Sequence, residues 1–233
     1  MAASHEQYLQ KLAGPRLIEA KPHPSLRMVV VIPCHDEPDL IGALKHLANC
    51  EPSLGQAEMI VVINDSEKDG SAVTRQNKYT LCETTDWLDE RRDPWLPIHL
   101  LYHPKLPPKH AGVGQARKIG MDEALRRLAD VGQAEDGLLV CYDADCRCSP
   151  NYFTGIESHF DSEPDAPGCS IHFEHPLDAS EWAALGFGGR APHREVLDGI
   201  AAYELHLRYH VLAQKFIGFP YAFHTIGSAM AVR

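Results

Sequence analysis

Two aspartates, Asp143 and Asp145, follow the apolar run Leu138–Tyr142 and are separated only by Ala144. Side chains on an extended segment alternate, so the two acids face opposite ways unless the chain bends where the strand ends. With such a bend, one carboxylate can reach a divalent cation and the other a sugar hydroxyl. Mg²⁺ and Mn²⁺ prefer oxygen ligands of this kind. The triplet alone is common by chance, and the alternative is a solvated turn that caps the next helix.

Two further polar clusters also follow apolar runs. Pro33–Glu37 comes after Met28–Ile32, and Asn64–Ser66 comes after Met59–Ile63. Continuous apolar, β-branched runs are typical of strands buried on both faces of a parallel sheet. The carboxyl ends of parallel strands meet at one edge, where ligands bind in sheets of this kind. The sequence therefore predicts a binding site where the three clusters converge.

The elements that must position these clusters alternate between strand and helix. Six strands are predicted, at residues 28–32, 59–63, 98–102, 138–142, 169–173 and 226–232. Helical spacing of apolar residues follows the first, third and fourth strands. This alternation predicts an α/β fold with a predominantly parallel central sheet and helices on both faces.

Other segments allow more than one interpretation. Residues 71–97 are polar, and the pattern fits an insertion or lid as well as it fits an ordinary helical connection. Asp36 is predicted to cap the helix that follows the first strand. A long helix is predicted over Val196–Phe216, with an apolar stripe that we expect to face the core. The stripe consists of Leu197, Ile200, Ala201, Leu205, Tyr209 and Leu212.

Composition excludes several classes of function. The 233 residues carry a net charge of −10, which argues against nucleic acid as a partner, because phosphate backbones attract basic surfaces. No apolar run is long enough to span a membrane. Residues 1–24 lack the apolar centre of a secretory signal. Free thiols at Cys34, Cys141 and Cys169 are expected in a reducing compartment. We therefore expect a cytoplasmic protein, with peripheral membrane association left open.

Four motifs in order carry a resemblance to a known family. They are Val29–Glu37, Val61–Ser66, Gly114–Lys118 and Asp143–Asp145. Together they resemble successive motifs of the family 2 glycosyltransferases, which have the GT-A fold and use nucleotide-diphosphate sugars. The resemblance extends over residues 27–233, as one catalytic domain after a leader at 1–26. It implies a nucleotide-binding part at 27–148 and an acceptor-side part at 149–233.

The resemblance also implies roles for individual residues. Asp145 would hold the metal, Mn²⁺ or Mg²⁺, and Asp143 would contact the ribose, or the metal through water, so both are candidate catalytic residues. The family's base-binding aspartate aligns with Asn64, or with Asp65 after a shift of one residue, which leaves the base open between UDP- and GDP-linked donors. The remaining candidates for nucleotide binding are Pro33, His35, Glu37 and Arg117, with Lys109 and His110 as weaker phosphate contacts.

On the acceptor side the resemblance covers the segment from Thr225 to Arg233. Gly227 and Ser228 would allow close approach of a sugar. Glu174, in the polar cluster after the fifth predicted strand, is either an acid–base or acceptor-binding group or part of a loop salt bridge. Family members usually continue past this segment to an acidic pair that supplies the general base. The chain ends at Arg233, so we expect a C-terminal truncation and an unidentified base, with the acceptor unknown.

Three functions therefore remain open. The first is an inverting, metal-assisted glycosyltransferase. The second is a nucleotide-sugar binding domain that lacks the catalytic base. The third is a sugar-1-phosphate nucleotidyltransferase, which normally has a glycine-rich, basic loop after its first strand. The acidic segment Asp36-Glu37 stands there instead and would repel a triphosphate. Zinc at Cys141, Cys146 and Cys148 is disfavoured because the spacing lacks paired Cys-x-x-Cys motifs.

Overall fold

The computed structural model describes residues 4–91, 95–185, 192–224 and 226–233. Contacts divide the chain into two units, one of residues 1–169 with 231–233 and the other of residues 170–230. The predicted boundary between residues 148 and 149 stays a prediction. No helix of the described residues is long and apolar enough to cross a membrane.

The described strands form a β-sheet with helices along it, and this α/β arrangement confirms the predicted fold class. The strands, in chain order, are β1 Leu26–Cys34, β2 Gln56–Ser66, β3 Ile98–Leu106, β4 Leu138–Cys141, β5 Gly168–Ser170 and β6 Met230–Val232. The spatial order is β3-β2-β1-β4-β6-β5, and the pairs β1–β2, β2–β3 and β1–β4 are parallel. The strand order therefore reverses between β1 and β4, which makes this the topological switch point of the sheet.

Seven α-helices are described alongside the strands. They are α1 His5–Lys11, α2 Leu40–Ala48, α3 Ser71–Glu90, α4 Val113–Asp130, α5 Tyr152–Ser162, α6 Ala179–Ala184 and α7 Arg194–Phe216. Right-handed crossovers from β1 through β2 to β3 place α2 and α3 on one face, and the return to β4 places α4 on the other. Because both faces are covered, Val29, Val30, Val31 and Ile32 are all fully buried.

Helix α4 packs closely on the sheet. At Gly120 an added Cβ would lie 2.4 Å from Val31 Cγ1, so only glycine allows this approach. The leader packs along the same helix, since Glu123 accepts the backbone N–H groups of Leu17 and Ile18, each at 3.1 Å. Tyr8 in α1 donates a hydrogen bond to Asp122 at 2.8 Å. Carboxylates of α4 thus satisfy backbone and hydroxyl donors of the first eighteen residues.

Several sequence-based boundaries are corrected. Residues 71–90 form the helix α3, so the helical connection is the right alternative for this stretch. Asp36 does not cap α2, because it has a φ of 53° in the preceding turn and the helix begins at Leu40 after Asp39. The strand predicted from Ile226 begins at Met230, and the one predicted at 169–173 covers only Gly168–Ser170.

The smaller unit contains α7, whose buried positions are Leu197, Glu204 and Val211. Part of the stripe predicted for the core is exposed: Leu205 is 71% exposed, and Tyr209 and Leu212 are also exposed. The prediction was wrong for these three residues. The seven-residue spacing of the buried positions selects a face that is offset from the most apolar one.

Candidate active site at the carboxyl edge of the sheet

The switch point opens into a cleft of about 190 Å³. It lies at the carboxyl ends of β1, β2 and β4, as the sequence predicts. The lining residues are Pro33, Cys34, His35, Glu37, Asn64, Val113, Asp143, Ala144 and Asp145. Three sequence motifs that are far apart in the chain therefore converge here, and the start of α4 joins them.

Asp143, which lines the cleft, forms an ion pair with Arg117, which is not among the lining residues. Arg117, early in α4, donates a short hydrogen bond to the carboxylate of Asp143. The Arg117 side chain is mostly buried, and its Nε has no partner among the described residues. A guanidinium held in this way has further N–H groups to offer to an entering anion, for which its planar fork is suited.

The beginning of α4 is a second feature that suits an anion. Gly112 precedes the helix with a φ of 104°, a conformation that residues with a side chain rarely adopt. Gly112 also has no side chain with which to cap the first turn of this 18-residue helix. Val113, the first residue of the helix, lines the cleft. Uncapped N–H groups and the helix dipole both favour a phosphate at such a position.

The structure distinguishes Asn64 from Asp65. Asn64 lines the cleft and is 1% exposed, and its Oδ1 has no partner among the described residues. Asp65 is equally buried, and its Oδ1 accepts the backbone N–H of Lys105 at 2.6 Å, while its Oδ2 also has no partner among the described residues. What separates the two residues is that Asn64 lines the cleft and Asp65 does not. Buried polar oxygens normally have a hydrogen-bond partner, so the Oδ1 of Asn64 is positioned to accept a hydrogen bond from a ligand in the cleft.

The acidic side of the cleft consists of Glu37 and Asp145. Burial raises the pKa of Glu37 above its ordinary value, and the charges of Asp145 and Asp39 raise it further, against the opposing hydrogen bond from the Asp39 N–H. Asp145 is exposed, and the Cys146 thiol donates to it at 3.8 Å. The two carboxylates therefore repel each other, and a cation between them and an anionic ligand would relieve the repulsion.

Residues that the sequence analysis missed hold this acidic turn in place. Asn77 in α3 is fully buried, accepts the N–H of Asp36 at 2.9 Å and donates to the carbonyl of Asn64 at 3.0 Å. Thr80 donates to the carbonyl of Glu37 at 2.7 Å. Their spacing in the sequence could have identified them, because Asn77, Thr80 and Thr84 lie on one face of a helix, and all three are buried.

Two more residues fix the loops on either side of the cleft. His35 donates through Nδ1 to the carbonyl of Asn64 at 2.9 Å. Arg147, whose side chain is 3% exposed, pairs with Asp39 just before α2. The second contact joins the segment after Asp145 to the start of α2, so the β1 and β4 loops are held as one structure.

A divalent cation fits this chemistry in part. Among the described residues, no three His, Cys, Asp or Glu side chains are grouped so that they could hold a metal ion. Asp143 is already paired with Arg117, which leaves Asp145 as the exposed oxygen donor of the motif. One carboxylate together with substrate phosphates and water is a common way to bind Mg²⁺ or Mn²⁺. The donor set is therefore adequate only when a phosphate ligand completes it.

The acceptor-side candidates lie in the smaller unit. Glu174 pairs with His172 at 3.0 Å, and both side chains are more than 70% exposed, so the loop salt bridge is the alternative observed. Gly227 and Ser228 lie in a turn rather than in the predicted strand. Thr225 falls outside the described residues.

The weaker phosphate candidates, Lys109 and His110, are exposed in a short 3₁₀ turn before α4.

Comparison with known proteins gives structural matches only. No protein-family profile and no curated protein sequence matches the chain. Staphylococcus aureus TarS 1–349 in complex with UDP-GlcNAc is 15% identical with a TM-score of 0.42, and the match covers 72% of this chain and 37% of that one. The mannosyltransferase PcManGT from Pyrobaculum calidifontis, in complex with GDP-Man and Mn²⁺, is 16% identical with a TM-score of 0.42. That match covers 78% of this chain and 44% of the other, so the chain corresponds to less than half of either protein.

Proposed function

We propose that this chain is the donor-binding part of a family 2 glycosyltransferase, which moves a sugar from a nucleotide diphosphate to an acceptor hydroxyl. The observation that carries the proposal is the cleft at the switch point. It combines a buried acceptor oxygen on Asn64 that has no partner among the described residues, the Arg117–Asp143 pair and a start of α4 without a side-chain cap. These groups match the three chemical parts of such a donor: the base, the ribose and the diphosphate.

Each group has a role in this proposal. The Asn64 oxygen accepts an N–H of the base, and Asp143 accepts a ribose hydroxyl. Arg117 and the first turn of α4 donate to the diphosphate and stabilise it as it leaves. A divalent cation at Asp145 would neutralise further charge on the diphosphate. Because an amide stands at 64, recognition of the base differs here from recognition by a carboxylate.

Inversion at the sugar carbon and the identity of the general base rest on the family resemblance. An inverting displacement needs a base that deprotonates the acceptor hydroxyl. If the chain binds the donor but transfers no sugar and hydrolyses none, it acts as a nucleotide-sugar binding domain. A turnover assay that follows release of the nucleotide with time separates the two functions.

The first experiment is calorimetric titration of the chain with UDP and with GDP, each with and without Mn²⁺. We expect one nucleotide to bind in the presence of the metal. Asp145→Ala should weaken that binding at least tenfold, about 1.4 kcal/mol. Asp136→Ala is the matched control, because Asp136 is exposed in the loop before β4, at the opposite end of that strand, and should bind as the unmodified chain does.

Two results would contradict the proposal. One is that neither nucleotide binds under any metal condition. The other is that both aspartate variants bind equally well, because the acidic motif would then play no part in binding. Preserved metal-dependent binding in Asp136→Ala, with loss in Asp145→Ala, places the nucleotide at the switch point.

A further inference from the structure

Two cysteine thiols face each other beside the candidate site, although 98 positions separate them in the sequence. Cys50 follows the end of α2, and Cys148 is the third residue after Asp145. Their Sγ atoms lie 3.5 Å apart. Cys50 is 5% exposed and Cys148 is half-buried, so Cys148 is the more accessible residue of the pair.

The backbone around the two thiols holds them together. The N–H of Glu51 donates to the carbonyl of Pro150 at 2.8 Å, and the Cys50 thiol lies 3.2 Å from the carbonyl of His46. A disulfide needs an Sγ–Sγ distance of about 2.05 Å, so side-chain rotation and a small shift of the chain suffice. The surroundings therefore favour bond formation between these two sulfurs over pairing with a distant thiol.

Cys50 is the more acidic partner. The S–H of Cys148, held against the Cys50 sulfur, lowers the pKa of the Cys50 thiol, and burial opposes the effect without reversing it. Burial raises the pKa of Cys34 and of Cys146 to about 12 each. The thiolate is the reactive form of cysteine. Cys50 therefore differs from Cys34 and Cys146 in the direction of its pKa shift, and a second thiol already lies 3.5 Å from its sulfur.

We propose that Cys50 and Cys148 form an oxidation site at which hydrogen peroxide produces a reversible disulfide. The Cys50 sulfur attacks a peroxide oxygen, the O–O bond breaks, and a sulfenic acid and water result. The Cys148 sulfur then attacks the Cys50 sulfur, the S–S bond forms, and the S–OH oxygen leaves as a second water. Two thiols are oxidised and one hydrogen peroxide is reduced, so atoms and electrons balance.

The disulfide would join the end of α2 to the segment that follows Asp145. The same segment is already held near the start of α2 by the pair Arg147–Asp39. A bond between Cys50 and Cys148 would therefore tie two consecutive residues, Arg147 and Cys148, to opposite ends of α2. It would also close a long loop in the unfolded chain, which raises the melting temperature. A thiol reductant would reverse the change.

The test is mass spectrometry of the full chain, reduced, then treated with hydrogen peroxide and alkylated before digestion without reductant. We expect a cross-linked peptide pair that contains Cys50 and Cys148, together with a rise in melting temperature that dithiothreitol removes. Cys148→Ser should leave a sulfenic acid at Cys50 that a dimedone probe labels. Cys82→Ser is the matched control, since Cys82 is an exposed thiol on α3 and its loss should leave the cross-link intact.

Two outcomes would overturn the proposal, and both are measurable on the unmodified chain. In the first, Cys50 and Cys148 remain fully alkylated while Cys82 is oxidised. In the second, Cys148 links to Cys146 or to another chain instead of Cys50. Neither outcome depends on nucleotide binding, so the proposal can fail while the proposed function stands, and the reverse also holds.

Discussion

Strand β1 and helix α7 are both rich in apolar residues, but only β1 buries nearly all of them. From Met28 to Cys34 every residue of β1 is buried, whereas Leu205, Tyr209 and Phe216 of α7 are 71%, 70% and 92% exposed. A strand inside a parallel sheet is covered on both faces and both edges, so its side chains are buried whichever way they point. A helix is covered on one face, and its tertiary contacts select that face.

A polar residue occupies the buried face of α7. Glu204 is 6% exposed, accepts the N–H and Nδ1 of His175 at 2.9 and 2.6 Å, and lies 3.1 Å from Arg208. Burial by itself raises the pKa of Glu204, but the bonds from His175 and the charge of Arg208 lower it below its ordinary value. An apolar run therefore predicts burial in a strand, whereas in a helix the ion pairs of a polar residue such as Glu204 can decide which face is buried.

The largest expected effect on stability is at a buried ion pair in the larger unit, and it tests whether polar groups stabilise that unit as Glu204 does α7. Arg127 donates to Glu58 at 2.6 Å, and both side chains are almost fully buried. Arg127→Ala should lower the free energy of unfolding by about 3–5 kcal/mol, because Glu58 remains as a buried charge whose remaining ion-pair partner, among the described residues, is His99 at 3.5 Å. Urea unfolding measures the loss. Arg127→Met combined with Glu58→Met should recover much of it, and a loss below about 1 kcal/mol in the single variant would contradict the role of the pair.

The same substitution in both regions tests the comparison directly. Leu44 in α2 is fully buried, and Leu205 in α7 is largely exposed. Leu44→Ala should cost about 2–5 kcal/mol because it removes buried surface and leaves a cavity. Leu205→Ala should change stability by less than about 0.5 kcal/mol. Equal losses in urea unfolding would mean that Leu205 is covered in solution, and the contrast between the two regions would fail.

The pH dependence of unfolding tests the contribution of the buried Glu58 carboxylate separately. Burial tends to raise the pKa of Glu58, but hydrogen bonds from His99 and Arg127 outweigh it and lower the pKa from 4.5 to about 2. A carboxyl whose pKa is lowered by folding stabilises the protein above its unfolded pKa and loses that contribution as the pH falls. We therefore expect a loss of roughly 3 kcal/mol between about pH 4.5 and pH 2. Urea unfolding at successive pH values measures it, and Glu58→Gln should flatten this part of the profile.

The smallest expected effect concerns the polar face of α3. Asn77→Ala removes two hydrogen bonds, one from the Asp36 N–H and one to the Asn64 carbonyl. It should destabilise the chain by about 1–3 kcal/mol. It should also weaken nucleotide binding in the calorimetric titration, since the β1 turn loses its support. Lys78→Ala, at the next and exposed position, is the control and should change neither quantity. Unchanged stability in Asn77→Ala would show that the turn after β1 does not depend on the hydrogen bonds of Asn77.

The site was predictable in its location and only partly in its contacts. The three motifs at Pro33–Glu37, Asn64–Ser66 and Asp143–Asp145 follow recognisable strands, so their convergence followed from parallel-sheet geometry. The choice of Asn64 over Asp65 did not, because neighbouring side chains of a strand point to opposite faces and the sequence does not say which one faces the cleft. The contribution of Asn77 was missed because the polarity of residues 71–97 was compatible with an insertion.

The α/β architecture, the buried central strands and the edge of the sheet at which the acidic motif lies could all be predicted from the order of residues. These follow from local rules: apolar runs form buried strands, and polar residues gather where the strands end. Tertiary structure alone decided that Arg117 pairs with Asp143, that Cys50 meets Cys148, and that α7 turns Glu204 inward and Leu205 outward. Each of these depends on contacts between groups that are distant in the chain or on which face of a helix is buried. Hydrophobic periodicity predicted neither the contacts nor the buried face of α7.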